Sequence, residues 1–125
     1  MSMSERFQRK TSMKQKLKKS RSDIRVHMLA QIAKIPRGKV STYGAIARAV
    51  GIPNGARQTA RALHGAHGVP WQRVVGAGGA IKLQGELAFE QRFRLQSEGV
   101  TFRGRRVNMK LHEYRFAKAE AERKT

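Results

Sequence analysis

Apolar residues recur at the spacing of a helix face in the segment that begins at Ser22. They lie three and four positions apart, which would give a helix one apolar side: Ile24, Met28, Leu29, Ile32 and Ile35. The tripeptide Pro36-Arg37-Gly38 ends the pattern, because proline disrupts a helix interior and glycine commonly follows a helix end. The pattern therefore predicts a first helix that ends before Pro36.

A second, shorter helix is predicted directly afterwards. Ser41 or Thr42 can cap its start, and Gly51 can stop it after Val50. Its apolar side consists of small and branched residues: Ala45, Ile46, Ala49 and Val50. The turn at 52–55 then leads into a further helix.

This third helix, predicted from residue 56 to about residue 66, has two contrasting faces. Small residues suited to packing lie on one face: Ala56, Thr59, Ala60, Leu63 and Ala66. Polar and basic residues share the other: Arg57, Gln58, Arg61 and His64. Two short helices joined by a tight turn, the second of them basic on its free face, are typical of a helix-turn-helix.

The rest of the chain predicts a hairpin and a fourth helix. Residues 73–75 and 80–83 are expected to form two short strands around a glycine-rich loop at 76–79, which would resemble a wing. The fourth helix should run from about 86 to 98 and end at Gly99. Its apolar contacts would be Phe89, Phe93 and Leu95. Residues 100–109 are expected to be irregular or weakly stranded, with Tyr114 and Phe116 closing the core.

These elements predict a mainly α fold with a small β-hairpin, a winged-helix-like helix-turn-helix DNA-binding domain. We expect the domain to span residues 23–116, with a frayed tail at 117–125. Residues 1–22 hold eight Lys or Arg and one acidic residue, with little to pack, which favours a disordered basic arm. A tag, a solvated tail and a transit peptide are alternative interpretations of that segment.

The charge of the chain points to a polyanionic partner. Its 27 Lys and Arg outnumber 8 Asp and Glu, for a net charge of +19. Without residues 1–22, 19 basic and 7 acidic residues remain. A folded domain so charged repels itself unless a polyanion lies nearby, so nucleic acid is the expected partner.

Several classes of function are excluded or disfavoured by composition. The chain contains no cysteine, which excludes disulfides, thiolate metal sites and a cysteine nucleophile. Its four histidines lack metal-ligand spacing, and no serine, histidine and acid form a recognisable triad, so we expect no metal and no cofactor. No apolar run reaches the ~20 residues of a membrane span. We expect an intracellular monomer, cytoplasmic and nucleoid-associated in a bacterium or nuclear in a eukaryote.

The most informative stretch is Val69-Pro70-Trp71-Gln72-Arg73-Val74-Val75, together with the blocks at 38–44 and 56–63. Here the chain resembles the DNA-binding domain of the alkylguanine-DNA alkyltransferases, whose signature is Pro-Cys-His-Arg-Val. Trp71 stands at the place of the nucleophilic cysteine and Gln72 at the place of the assisting histidine. An intact scaffold with Trp at the reactive position resembles the alkyltransferase-like proteins, a non-enzymatic branch of that family. The resemblance extends from about residue 24 to residue 114.

The resemblance implies roles for particular residues. Tyr43 matches the tyrosine that presses on the phosphate beside the target nucleotide, and Arg61 matches the arginine finger that fills the gap in the base stack. Further DNA contacts are expected from the same helix: Arg57, Gln58 and Thr59. The lesion pocket is expected to combine Trp71 with its neighbours Val69, Pro70 and Gln72.

Further residues near the signature also have expected roles. We expect Arg73 to support the loop, and His64 and His67 to line the DNA face. Either Lys82 or Gln84 could face the alkyl group. The recognition loop at 65–69 is short compared with that of the alkyltransferases.

The function implied is recognition without reaction. The protein would bind duplex DNA in the minor groove, turn O6-alkylguanine out into a pocket walled by Trp71, and flag it for nucleotide excision repair proteins. An aromatic wall suits this role, because stacking is worth ~1–3 kcal/mol per base. The first alternative is an enzyme that acts on the same lesion through another acceptor. The second is a sequence-specific or general winged-helix DNA-binding protein without lesion preference, in which Arg57 and Gln58 could read bases.

Overall fold

A computed structural model of the chain describes residues 21–116. The predicted tail and the predicted arm lie outside this range, except that residues 21–22 belong to the first helix. The helices are α1 (Arg21–Ala33), α2 (Tyr43–Ala49), α3 (Ala56–Leu63), α4 (Gly85–Ser97) and α5 (Met109–His112). The strands are β1 (Ser41–Thr42), β2 (Val74–Val75), β3 (Phe102–Arg103) and β4 (Arg106–Val107). Two 3₁₀ segments, Trp71–Arg73 and Ala77–Gly79, flank β2.

Helices α1, α2 and α3 pack together around one part of the core. The stripe predicted on α1 is confirmed, because Met28, Ile32 and Ile35 are fully or almost fully buried. Ile46 and Ala47 of α2 join them. Burial of such side chains is worth about 1.5–3 kcal/mol each for the larger ones, which supports helices too short to be stable alone.

The packing face of α3 differs from the prediction. Thr59 and Ala62 are its buried residues, whereas Ala56 and Ala60 are exposed. The helix also ends at Leu63 rather than near residue 66. Residue size alone could not reveal which small side chains face the core, because alanine is tolerated on either side of a helix.

The strands pair differently from the predicted hairpin. Strand β2 lies parallel to β1, with Ser41 opposite Val74 and Thr42 opposite Val75. Residues 81–84 form no strand, and Ala80 makes only an isolated bridge. The predicted hairpin at 73–83 is therefore wrong in position. Parallel strands are joined by a long connection, so the two segments that pair lie far apart in sequence. The local pattern of residues does not reveal such a pairing.

The small antiparallel hairpin lies further along the chain. Strands β3 and β4 pair with Phe102 opposite Val107. Val107 joins a second buried cluster with Val40, Val75, Leu95 and Val100. The mainly helical fold with a small hairpin is thus confirmed, with the hairpin in the segment expected to be irregular or weakly stranded.

Helix α4 is only partly as predicted. Leu95 is fully buried, and Gly99 ends the helix at φ +90°. Phe89 and Phe93, however, are 78% and 64% exposed. The polar Gln91 takes the other buried position on this helix, because hydrogen bonds to two carbonyls compensate its desolvation.

The end of the described chain closes the core. Phe116 is buried and its ring meets that of Tyr114 edge to face, with centroids 5.0 Å apart. Val40 bonds on both sides to this segment, donating to the carbonyl of His112 and accepting from the N–H of Tyr114. Within residues 21–116, no helix combines the length and the apolar character needed to cross a bilayer.

Candidate nucleic-acid interface

The start of α2 fixes Tyr43. Thr42 caps the helix, with its hydroxyl accepting a hydrogen bond of 3.0 Å from the Ala45 N–H. The Thr59 hydroxyl donates to the Tyr43 carbonyl at 2.9 Å, which ties α3 to the same point. The Tyr43 side chain packs partly against the core, and this burial raises the pKa of its phenol. Tyr43 is therefore a neutral, well-anchored aromatic side chain.

Trp71 lies on the first 3₁₀ segment, immediately before β2. The backbone N–H of Trp71 donates to the Val69 carbonyl at 2.8 Å, and this hydrogen bond tightens the turn around Pro70. The guanidinium of Arg94 lies 5.3 Å from the centroid of the indole, within cation–π range. Arg94 is in turn paired with Glu90 at 3.0 Å. The indole is thus oriented from α4 as well as by its own turn.

Glu98, at the end of α4, holds the residues that follow Trp71. Its carboxylate accepts from Arg73 at 3.0 Å through two nitrogens and from Gln72 Nε2 at 2.7 Å. Arg73 also donates to the Ile35 carbonyl at 2.8 Å. Arg73 therefore supports the loop, as expected.

The carboxyl of Glu98 is stabilised in its charged form. Partial burial acts to raise its pKa, but the hydrogen bonds from Arg73 and Gln72, the charge of Arg73 and the Gly38 N–H outweigh that effect. The net result is a pKa below the ordinary value of 4.5. The pair is thus charged throughout the neutral range.

Gln91 makes a second link between α4 and this loop. It is fully buried, and its Nε2 donates to the Gln72 carbonyl at 3.1 Å and to the Val74 carbonyl at 2.8 Å. Its Oε1 has no hydrogen-bond partner among the described residues. A polar side chain so buried is retained because the two carbonyls would otherwise be unsatisfied.

Tyr43 and Trp71 line the same cavity, which we call the tryptophan pocket. It has a volume of about 320 Å³ and eight lining residues: Tyr43, Ala60, Leu63, His64, Gly65, Trp71, Leu83 and Leu87. A partly apolar hollow of a few hundred Å³ is in the range of small-ligand sites. Its lining comes from separate parts of the chain, since Tyr43 starts α2, Trp71 starts the first 3₁₀ segment, and Leu83 and Leu87 lie just before and just after the start of α4.

The other residues predicted for the lesion pocket lie outside this lining. Val69 packs against the core, Pro70 precedes the 3₁₀ turn, and Gln72 is buried with its amide on Glu98. Of the four, only Trp71 lines the cavity. The neighbours of Trp71 in sequence thus position it, while the lining comes from other segments.

The predicted DNA-contacting residues of α3 divide by burial. Arg57 and Arg61 are exposed, and Gln58 is half-buried. Thr59 is fully buried, so that its side chain has no surface to offer DNA, and it instead bonds the Tyr43 and Gly55 carbonyls. Arg61 and Gln58 line a separate cavity on the side of α1, away from Trp71.

Several lining residues were not anticipated from the sequence. Leu83 and Leu87 line the pocket, whereas the expected candidates Lys82 and Gln84 are exposed and do not line it. Leu87 is 55% exposed, which only the structure shows, so the sequence offered no signal for these two residues. His64 lines the pocket as part of the α3 end, but His67 does not.

No metal site accompanies this pocket. In the part of the chain described, no three His, Asp or Glu side chains come together as a metal site requires. Lys and Arg side chains dominate the charged surface, and the whole chain has no cysteine. What the site offers is aromatic surface, an apolar wall and nearby positive charge.

The chain is similar to proteins that act on DNA. Residues 23–100 match the family described as 6-O-methylguanine DNA methyltransferase, DNA binding domain. Alkyltransferase-like protein 1 of Schizosaccharomyces pombe is 50% identical over 74 residues, covering 55% of this chain and 68% of that protein. The DNA base-flipping protein of Vibrio parahaemolyticus is 41% identical over 78 residues, covering 60% and 78%.

A solved structure agrees with these relatives. The crystal structure of S. pombe Atl1 in complex with damaged DNA containing O6-carboxymethylguanine matches with a TM-score of 0.65 and 34% identity. The match covers 76% of this chain and 97% of that one. The chain therefore belongs to the 6-O-methylguanine DNA methyltransferase DNA-binding-domain family, in its alkyltransferase-like branch.

Proposed function

We propose that this protein is a non-catalytic DNA damage sensor. It binds duplex DNA through the minor groove, turns an O6-alkylated guanine out of the stack into the tryptophan pocket, and leaves the base unchanged. The observation that carries the proposal is that Tyr43 and Trp71 line one cavity beside α3. The relatives named base-flipping and alkyltransferase-like proteins support it.

Binding in the pocket draws on stacking and apolar contact. The indole of Trp71 offers an aromatic face to an extruded purine, worth ~1–3 kcal/mol per base. Leu83 and Leu87 give the alkyl group an apolar surface in place of water. Turning a base out of the stack costs a few kcal/mol of unstacking free energy. This cost is lower for a damaged base whose pairing is weakened, so the damaged base is turned out more readily than an undamaged one.

Tyr43 has the position needed to assist extrusion. It is the first residue of α2 and lines the pocket, and its backbone is fixed through Thr42 and Thr59. A rigid neutral phenol can press against a phosphate without the repulsion that a phenolate would add. Its raised pKa keeps the phenol protonated over a wide pH range.

An arginine of α3 fills the gap left in the stack. Arg61 is the residue that the resemblance assigns, and its planar guanidinium can stack on a base while staying charged near phosphates. Arg57, one turn earlier, lies on the side of the helix opposite the buried Thr59 and Ala62. Both are exposed, so variants of the two arginines identify which one intrudes.

The pocket retains the base without chemistry. Trp71 has no nucleophilic atom comparable to a thiolate, and the chain has no cysteine elsewhere. In this role the protein is a monomer that stays with the DNA, in the cytoplasm of a bacterium or the nucleus of a eukaryote. The bent, marked duplex is passed to nucleotide excision repair proteins.

Binding of matched duplexes with and without a single O6-methylguanine tests this function. Trp71 is the only tryptophan in the chain, so its fluorescence reports stacking of the extruded base without interference. We expect tighter binding and stronger quenching with the damaged duplex, and intact alkyl groups on the recovered DNA. Discrimination should fall in Trp71→Ala, in Tyr43→Ala and in one of Arg57→Ala or Arg61→Ala.

Two outcomes would overturn the proposal. Equal affinity for both duplexes would leave a general DNA-binding protein. Loss of the alkyl group from DNA, or a matching mass increase on the protein, would show an enzyme that uses another acceptor.

A further inference from the structure

A second cavity lies between α1 and α3, on the opposite side of α3 from the tryptophan pocket. Its volume is about 210 Å³. Three arginines line it, Arg21 and Arg25 from α1 and Arg61 from α3. The floor is apolar and comes from three residues: Ile24, Met28 and Ala62. We call this cavity the arginine cleft.

The described lining of the arginine cleft contains no carboxylate. Its one further lining residue is Gln58, a neutral amide, and the acid of the same helix turn, Asp23, does not line it. None of the three arginine side chains takes part in an ion pair or a side-chain hydrogen bond within residues 21–116. Within the described lining, no carboxylate accompanies the positive charge gathered there.

Such an arrangement favours an anion. Like charges that converge on one cavity repel one another, and a bound anion converts that repulsion into attraction. Guanidinium groups match the geometry of phosphate oxygens in two-pronged hydrogen bonds. The apolar floor lowers the local dielectric constant, so these bonds gain strength compared with bonds in open solvent.

We infer that the arginine cleft, through Arg21 and Arg25, binds a backbone phosphate of the same duplex whose damaged base enters the tryptophan pocket, which leaves the arginines of α3 to enter the stack. This inference rests on the proposed function. Helix α3 connects the two sites, since Ala60 and His64 line the tryptophan pocket while Gln58 and Arg61 line the cleft. DNA that lies along α3 is therefore held on both sides of the helix, by a base on one side and a phosphate on the other.

The double variant Arg21→Ala/Arg25→Ala tests the cleft without touching Arg61. Both side chains are exposed, so the double variant should keep the fold. A thermal melt of the variant checks this expectation. We expect affinity to fall on the order of tenfold at low salt, equally for damaged and undamaged duplexes. The slope of log K against log salt should become shallower by about 1 for each phosphate that the variant no longer neutralises. Lys34→Ala and Lys110→Ala remove exposed charges outside the cleft and serve as matched controls.

A scan of the duplex with single neutral methylphosphonates locates the phosphate. One position should weaken wild-type binding but cost the double variant much less, because its partner is already missing. If every position costs both proteins the same, the proposal fails. It also fails if the double variant loses no more affinity than the lysine controls, or if inorganic phosphate binds the cleft while the DNA salt slope stays unchanged.

Failure here and failure of the proposed function are distinguishable. A phosphate contact changes affinity for all duplexes alike, whereas the sensor function is measured by the ratio of affinities for damaged and undamaged DNA. Unchanged discrimination with reduced affinity in the double variant therefore supports the cleft. Lost discrimination in that variant would contradict it, because the cleft would then act on the lesion itself.

Discussion

The indole of Trp71 is held in place by side chains that belong to other parts of the fold. Arg94 lies against its ring, and the next two residues of its turn are bound by Glu98. Its own backbone donates to the Val69 carbonyl and accepts from the backbone N–H of Val74. The position of the Trp71 ring therefore depends on side chains, Arg94 and Glu98, that do not line the tryptophan pocket themselves.

Replacing Trp71 by alanine should abolish most discrimination between damaged and undamaged DNA. The expected loss is ~1–3 kcal/mol of lesion binding, the value of one stacked base. Trp71→Phe should keep part of it, because a smaller ring still stacks. Titration of labelled duplexes measures both variants, and equal discrimination in wild type and Trp71→Ala would contradict a stacking role.

The leucines that line the tryptophan pocket should set the preference for the alkyl group. Leu83→Ser should weaken binding of duplexes with a large apolar O6-alkyl group more than of those with O6-methylguanine, by roughly 1 kcal/mol for the apolar surface removed. Lys82→Ala and Gln84→Ala are the matched controls, since both side chains are exposed beside it and do not line the pocket. Competition between duplexes that differ only in the alkyl group provides the measurement. An equal effect on both lesions would place the alkyl group elsewhere.

Glu98→Gln should lower the free energy of unfolding at neutral pH by about 2 kcal/mol, because charge-assisted bonds to Arg73 are lost. Since folding lowers the pKa of Glu98, its stabilisation is present above the unfolded pKa, near 4.5, and is lost as pH falls through the folded pKa. The difference between wild type and variant should therefore shrink below about pH 4.5. Denaturant titrations at several pH values measure it. Glu90→Gln, which breaks an exposed pair, should change stability by less than about 0.5 kcal/mol at any pH.

Between elements, buried polar side chains carry the connections that place the site. Gln91 of α4 bonds the carbonyls of Gln72 and Val74, and Thr59 of α3 bonds the carbonyl of Tyr43. Each of these links joins a helix to one of the two segments that carry the pocket aromatics. Helices α3 and α4 are thus both fixed relative to the pocket.

Gln91→Leu tests whether that link matters to both stability and binding. Leucine approximates the volume but leaves two carbonyls unsatisfied, which should cost roughly 2–4 kcal/mol. Because the bonds hold the turn of Trp71, lesion discrimination should fall along with stability. Gln96→Leu, at an exposed position of the same helix, should affect neither. Retained discrimination in Gln91→Leu would show that the other contacts of this turn, with Arg94 and Glu98, place the indole without Gln91.

For the whole molecule, a net charge of +19 opposes compactness as well as attracting DNA. Salt screens this self-repulsion, with a Debye length of about 10 Å at 0.1 M. The melting temperature should therefore rise with salt in the absence of DNA, while DNA affinity falls along the same series. Parallel thermal melts and binding titrations measure the two trends. A melting temperature that falls with salt would show that internal ion pairs such as that of Arg73 and Glu98 outweigh the repulsion.

Much of the fold was predictable from local pattern. The buried stripe of α1 and the cap at Thr42 were apparent because helix periodicity and capping act within a few residues. The end of α4 at Gly99 was predictable for the same reason, because a glycine in the left-handed region ends a helix through contacts within a few residues. The exposed Phe89 and Phe93 show the limit of such patterns, because an apolar residue reveals only that burial is possible.

The sequence by itself determined the family signature around Trp71, the absence of a thiol and the positive charge, because these are properties of residue identity and order. Only the tertiary structure decided that β2 pairs with β1 and that Leu83 and Trp71 line one cavity. It likewise decided that Arg61 lies beside two arginines of α1. These relations join segments far apart along the chain, and which surfaces meet depends on the packing of the whole core rather than on any local pattern.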